Sequence, residues 1–200
     1  MLECIKDIVI ILAAIAANII GFIGLRTWQK QLRGTTEYTL AKNVLAAIYE
    51  LRASISSMRF WISFRAPHLD IAVDQRTGEM ENKWLETVRT YEEKWRSVSS
   101  ALTKLRAVLF ETEAVWGQKF VDSIDPIYNF VTKLRLAIQF HIEAGDPNTP
   151  SARSDMNKIK EREAILYGDL SEEDEFSTGL NDAIHKIEIE LKPHISRHHN

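Results

Sequence analysis

AKNVLAAIYELRASISSMRFWI, residues 41–62, sets Ala41, Val44, Ile48, Leu51, Ile55, Met58 and Ile62 at alternating intervals of three and four. That interval keeps a row of apolar side chains on one face of a helix, in a heptad seam that a neighbouring helix must cover. A strand would alternate every second residue, and the segment does not. The seam predicts a long helix with coiled-coil-like packing on one side.

The same period returns downstream. After a connection over residues 67–82, which contains Pro67 and Gly78, a second helix opens near Asn82. It carries Trp84, Val88, Tyr91, Trp95, Val98, Leu102, Leu105 and Leu109 on one face, and continues, straight or kinked, through Trp116 and Gly117 towards Val121. Asp125 before Pro126 reads as an N-cap ahead of a first helical position, where proline's missing N–H does no harm. Ile127, Val131, Leu134, Ile138 and His141 then share a face, and Gly145 ends the third helix. GDPNTPSARS, residues 145–154, has linker composition. A weaker helix over 155–167 follows. The last is expected from Ser171, with Phe176, Leu180, Ala183, Ile187 and Leu191 inward, closed by Pro193 ahead of a flexible tail over 193–200. Short connections impose antiparallel order, so residues 36–192 form an antiparallel four- or five-helix bundle, and the fold class is all-α.

Upstream lies IVIILAAIAANIIGFIGL, residues 8–25, in which Asn18 is the only polar side chain. A cleaved export signal has a basic leader, a shorter apolar run and small residues at a polar cut site. Here the leader MLECIKD is acid-balanced, and the small triplet at 14–16 lies inside the run. Eighteen residues of helix rise about 27 Å, close to the hydrocarbon thickness of a bilayer. The reading is a single transmembrane helix over 8–25 after a short segment 1–7, followed by a connector over 26–35. Arg26, Trp28, Lys30 and Arg33 act there as interfacial anchors. The cations follow the run, so the positive-inside rule places the N-terminus outside and the bundle in the cytoplasm of a bacterial inner membrane. Ala13, Ala17 and Gly21 recur every four residues, with Asn18 beside them, giving a face low enough for helix–helix association in the bilayer. Gly34 before Thr35 and Thr36 is either a hinge, an N-cap for a fresh helix, or a point through which one rod passes.

Charge supports the division. The chain's formal net charge is -3; Lys6, Arg26, Lys30 and Arg33 against Glu3 and Asp7 make the first 33 residues +2, which leaves -5 for the rest. An acidic body disfavours general nucleic-acid binding, which rests on clustered Lys and Arg. One cysteine, Cys4, permits no intramolecular disulfide and fits a reducing compartment.

Catalytic signals are thin. There is no glycine-rich phosphate loop, no cysteine pair and no nucleophile elbow, and neither a cofactor nor a metal site is expected. His194, His198 and His199 read as a frayed terminus rather than metal ligands, and the acids of DLSEEDEF, residues 169–176, as a first helical turn favoured by the helix dipole. Arg135 and His141, in RLAIQFH, resemble the Arg-x4–6-His motif of HEPN domains, helical bundles that often act as ribonucleases. That resemblance implies His141 as general acid/base and Arg135 as stabiliser of the phosphate transition state. Leu136 stands where that family usually has a polar residue. The stretch TWQKQLRGTTEYTLAKNVL, residues 27–45, resembles small bacterial membrane-anchored helical proteins, some found beside stress and anti-phage systems. It implies an inner-membrane setting and no activity. The sequence therefore predicts a non-enzymatic interaction or assembly protein, held by the lipid bilayer and engaging itself or a protein partner. The alternatives are a HEPN-like ribonuclease and a membrane-perturbing effector acting through an oligomerised span.

Overall fold

The computed structural model describes residues 2–65, 77–146, 156–167 and 174–196, with side chains described for all of these except 2–14, 16, 64–65, 77–83 and 156–159. Among the described residues all regular structure is helical, as the seams require. Six helices follow in order: α1 Leu2–Arg65, α2 Thr77–Trp116, α3 Gln118–Asp122, α4 Asp125–Ala144, α5 Met156–Leu166 and α6 Glu175–Ser196. The protein is all-α.

Four of the helices close the bundle. α1 packs between α2 and α6, and α4 packs against both of these from the other side, with α5 lying against α4 and the end of α1. Side-chain pairs show the antiparallel course: Ser97 bonds Ser54 and Lys104 bonds Glu50 between α2 and α1, while Tyr49 donates to Glu188 and His194 meets Glu37 between α1 and α6. Every member of the opening seam, from Ala41 to Ile62, is buried in one apolar core. Tyr91, Val98, Leu105 and Leu109 of α2, Ile127 to Ile138 of α4 and Phe176 to Leu191 of α6 complete it. Trp95 and Leu102 pack at its margin, as large side chains at a seam edge do.

Boundaries depart from the sequence reading in identifiable ways. α1 runs unbroken through Gly34, so the connector over 26–35 is helix. Thr35 and Thr36 do not cap a fresh helix; their hydroxyls donate to the carbonyls of Gln31 and Leu32, one turn back. A single Gly costs a helix only about 1 kcal/mol, which the continuous hydrogen-bond ladder on either side absorbs. α2 begins at Thr77 rather than near Asn82 and stops at Trp116, because Gly117 at φ 79° leaves the helical region and starts the short α3. Asp125 is the first residue of α4, not its cap. Ile124 holds that place in helical conformation and offers no side-chain acceptor. Ser171 lies outside the described residues. α6 starts at Glu175, where Asp174 caps it by accepting the Ser177 N–H at 3.0 Å. Pro193 does not close α6, which continues to Ser196, so only residues 197–200 of the expected tail lie outside the described chain.

The expected span is described only in part. Its backbone belongs to α1, but only ten of its eighteen side chains, 15 and 17–25, are described, which is less than a bilayer's thickness. Among the described residues no helix is long and apolar enough to cross a membrane. What is visible is an exposed rod. Ile15, Ile19, Ile20, Phe22, Ile23 and Leu25 are all at least half exposed, and burial begins only at Leu40.

Candidate functional sites

Arg59 is the one cation among the described residues that the core swallows, at 5% exposure. It sits next to Met58 of the α1 seam, turned toward α6. Its guanidinium satisfies all five donors. Nε and Nη2 donate to the carbonyls of Ile165 and Ala164 at the end of α5, at 2.8 and 3.2 Å. Nη1 and Nη2 form a two-pronged pair with the Asp174 carboxylate at 2.9 and 3.0 Å, and Nη1 also reaches the Ser177 hydroxyl at 2.7 Å. The ring of Phe176 lies 4.6 Å from the guanidinium carbon. Burial alone would raise the Asp174 carboxyl, but hydrogen bonds from Arg59 and Ser177 outweigh it and hold the group below the usual range. With every donor engaged, the arrangement is a clamp joining α1, α5 and α6, not a free anion site.

Within one copy of the chain, Arg135 and His141 do not face one another. Six residues along α4 turn about 120° away from one another. Arg135 is exposed and lies over Trp95 at 5.0 Å. His141 is half-buried, with Tyr91 at 5.9 Å and Tyr167 at 6.3 Å, and burial lowers its pKa against a weaker opposing pull from Glu163. Tyr91 and Trp61 meet edge to face at 5.1 Å, and the buried Tyr91 hydroxyl has no hydrogen-bond partner among the described residues. Burial pushes that phenol's pKa upward, so it stays protonated.

At the opposite end, where the bundle meets the rod, His194 does not lie in a frayed terminus but in α6. It bonds Glu37 at 3.3 Å and lies 4.7 Å from the ring of Trp116. His198 and His199 lie outside the described residues, and no cluster of His, Cys, Asp and Glu able to hold a metal occurs among the described ones. Beside this junction a groove of 350 Å³ opens between α1 and α2, lined by Thr35, Thr36, Thr39, Leu40, Asn43, Glu111 and Val115. Phe110 of α2 is, at 75%, the most exposed large apolar side chain among the described residues.

Of the interfacial positions, Arg26 lies over Phe22 at 5.5 Å, Arg33 pairs with Glu37 at 3.2 Å, and Trp28 is exposed on the rod. Ala17, Asn18 and Gly21 are exposed, and Ala13 lies outside the described side chains. The sequence reading did not single out Arg59, Asp174 or the groove. An Arg between Met58 and Phe60, beside a seam position, is the local signal that could have marked the first. No protein-family model, curated protein or solved structure matches the chain.

Proposed function

We propose that the protein is a membrane-anchored helical assembly module, with residues 8–25 in the bilayer of a bacterial inner membrane and the bundle on its cytoplasmic side. One observation carries this reading: Ile15, Ile19, Ile20, Phe22, Ile23 and Leu25 of α1 are exposed together, and among the described residues no other element packs over them. The described stretch 15–25, about 16 Å of helix about 10 Å wide, presents roughly 500 Å², at the upper end of what monomeric proteins leave exposed. Lipid covers such a surface at no cost to the backbone, whose polar groups are already paired within the helix. Arg26, Lys30 and Arg33 then meet the cytoplasmic headgroups, and Trp28 sits at that level.

Two measurements test it together. The full chain should stay with membranes through a carbonate wash. A fluorescent reporter fused after Asn200 should be active, and an export-dependent phosphatase at the same position inactive. Release by carbonate, or the reverse reporter pattern, refutes the anchor or its orientation respectively.

A further inference from the structure

We infer that Arg26, Lys30 and Arg33 form a one-sided site on α1 for the phosphates of anionic phospholipids, bounded above by Glu37. The inference rests on the anchored reading above, and adds which lipids the membrane presents and on which side of the rod they bind. Each residue of a helix turns about 100°, so positions 26, 30 and 33 fall within about 60° of one another over about 10 Å of rise. All three side chains are exposed, on one helix without a break. Trp28 lies about 140–160° round from each of them, on the other side of the rod.

The stripe has donors to offer. Arg26 lies over the Phe22 ring at 5.5 Å, and neither it nor Lys30 makes a hydrogen bond among the described residues. Arg33, its side chain 81% exposed, gives only Nε to Glu37, at 3.2 Å. Its two terminal nitrogens stay open, and that fork meets a phosphate with parallel hydrogen bonds. Glu37 continues the stripe one turn above Arg33. Its second carboxylate oxygen lies 3.3 Å from Nδ1 of His194, which puts the end of α6 on the same side of the rod.

Charge decides the class of lipid. Glu37 is the first acid after Asp7, so no carboxylate between them offsets the three cations. A zwitterionic headgroup carries its own cation beside the phosphate and so competes with the stripe, whereas an anionic headgroup brings the negative charge alone. Height agrees with this. Along an upright rod the three residues stand about 1.5, 7.5 and 12 Å beyond Leu25, against a headgroup layer about 5–8 Å thick. Arg26 lies within that layer, Lys30 at its outer edge, and Arg33 within a Debye length of about 8 Å from it. One cation so placed strengthens attraction to an anionic surface about fivefold. Glu37 opposes it twice, by holding Arg33 and by repelling the same lipids. Lys42, the next cation on α1, lies about 120–180° round from the stripe and beyond its reach.

The test uses the full chain in nanodiscs holding phosphatidylglycerol and phosphatidylcholine in equal amounts, with the lipids that stay bound on release counted by native mass spectrometry. The wild type should retain phosphatidylglycerol in excess. Lys30→Gln and Arg33→Gln should each lower that ratio about fivefold, Glu37→Gln should raise it, and Lys42→Gln should leave it unchanged. Adding Gln31→Arg to Arg33→Gln restores the net charge at nearly the same height but about 160° round the helix, so the ratio should stay low. Equal retention of both lipids by the wild type, or a ratio unmoved by the Lys30, Arg33 and Glu37 changes, overturns the site. Recovery with Gln31→Arg, or a loss with Lys42→Gln equal to that with Arg33→Gln, overturns it in favour of attraction without a defined face. Displacement of the lipid by inorganic phosphate at matched ionic strength overturns it in favour of a soluble anion. Each of these results leaves the anchor standing where the wild type survives a carbonate wash; a wild type that washes out overturns the anchor and this site with it.

Discussion

Arg59→Ala removes five hydrogen bonds at once and leaves the acceptors that faced them. Breaking a buried ion pair from one side costs about 3–5 kcal/mol, mostly through the charge left behind. Here Asp174 retains the Ser177 N–H and is 12% exposed, so its charge is not stranded. The expected loss is therefore near the lower bound, about 3 kcal/mol. Asp174→Asn tests the pair separately from the cap, because Asn caps a helix as well as Asp does. Arg59→Ala and Asp174→Asn together should cost little more than Arg59→Ala alone, a coupling of roughly 1–3 kcal/mol. In urea titrations followed by helical circular dichroism, with a slope of about 1–3 kcal/mol per molar, Arg59→Ala should lower the midpoint by about 1–3 M. Acid supplies a second readout. A carboxyl held below its unfolded value of about 4 adds stability above that pH and loses it as pH falls through the folded value. Arg59→Ala should flatten that acid limb. A midpoint within about 0.2 M of the wild type would show that the clamp contributes nothing net and refute the reasoning.

Gly117→Ala should destabilise by about 1–3 kcal/mol through backbone strain alone, because φ is 79° and an added Cβ meets nothing within 4 Å. An unchanged melting temperature would show that the α2–α3 corner adjusts freely. Gly179→Ala pits a helix-propensity gain of about 1 kcal/mol against a Cβ only 2.7 Å from the Phe130 ring, itself edge-on to Phe176. Overpacking of about 1–3 kcal/mol should prevail, and adding Phe130→Leu should recover the loss; a stabilised single variant would reverse the sign. His141 has a folded pKa below its unfolded value of about 6.5, so its contribution is present above that pH and declines as pH falls below it. Unfolding titrations between neutral pH and pH 5 should show that decline in the wild type and less of it in His141→Gln. Equal slopes would remove His141 as its source.

The bundle was legible because burial repeats. Seven positions from Ala41 to Ile62 obey one period, and all seven are buried; the α4 and α6 seams behave alike up to His141, which marks the core's edge. Ile184 escaped the reading because it adjoins Ala183 and widens the stripe beyond a strict heptad. Helix ends were less legible, since they depend on single residues in competition. Pro193 deprives only the Ile189 carbonyl, on an exposed turn, so α6 continues. Asp174, one acid among several, becomes a cap because Arg59 lies across from it in space. Nothing local in the sequence joins residues 115 positions apart. The groove was hidden for the same reason. Its residues come from two helices whose register is set by core packing, not by any motif.

Continuity through Gly34 gives these parts a common consequence. A hinge there would let the apolar rod turn independently and would make any face of it equivalent to the bundle. An unbroken α1 fixes that rotation, because each residue contributes about 100° and nothing between Leu25 and Leu40 resets the count. The seam from Ala41 to Ile62 fixes the rotation of the bundle about the same axis. Burying the seam therefore also decides which side chains of residues 15–32 face the direction of the groove. Core packing, a matter of stability in most bundles, thus orients the apolar rod as well. Contact between two rods would bring the bundles together on one defined face.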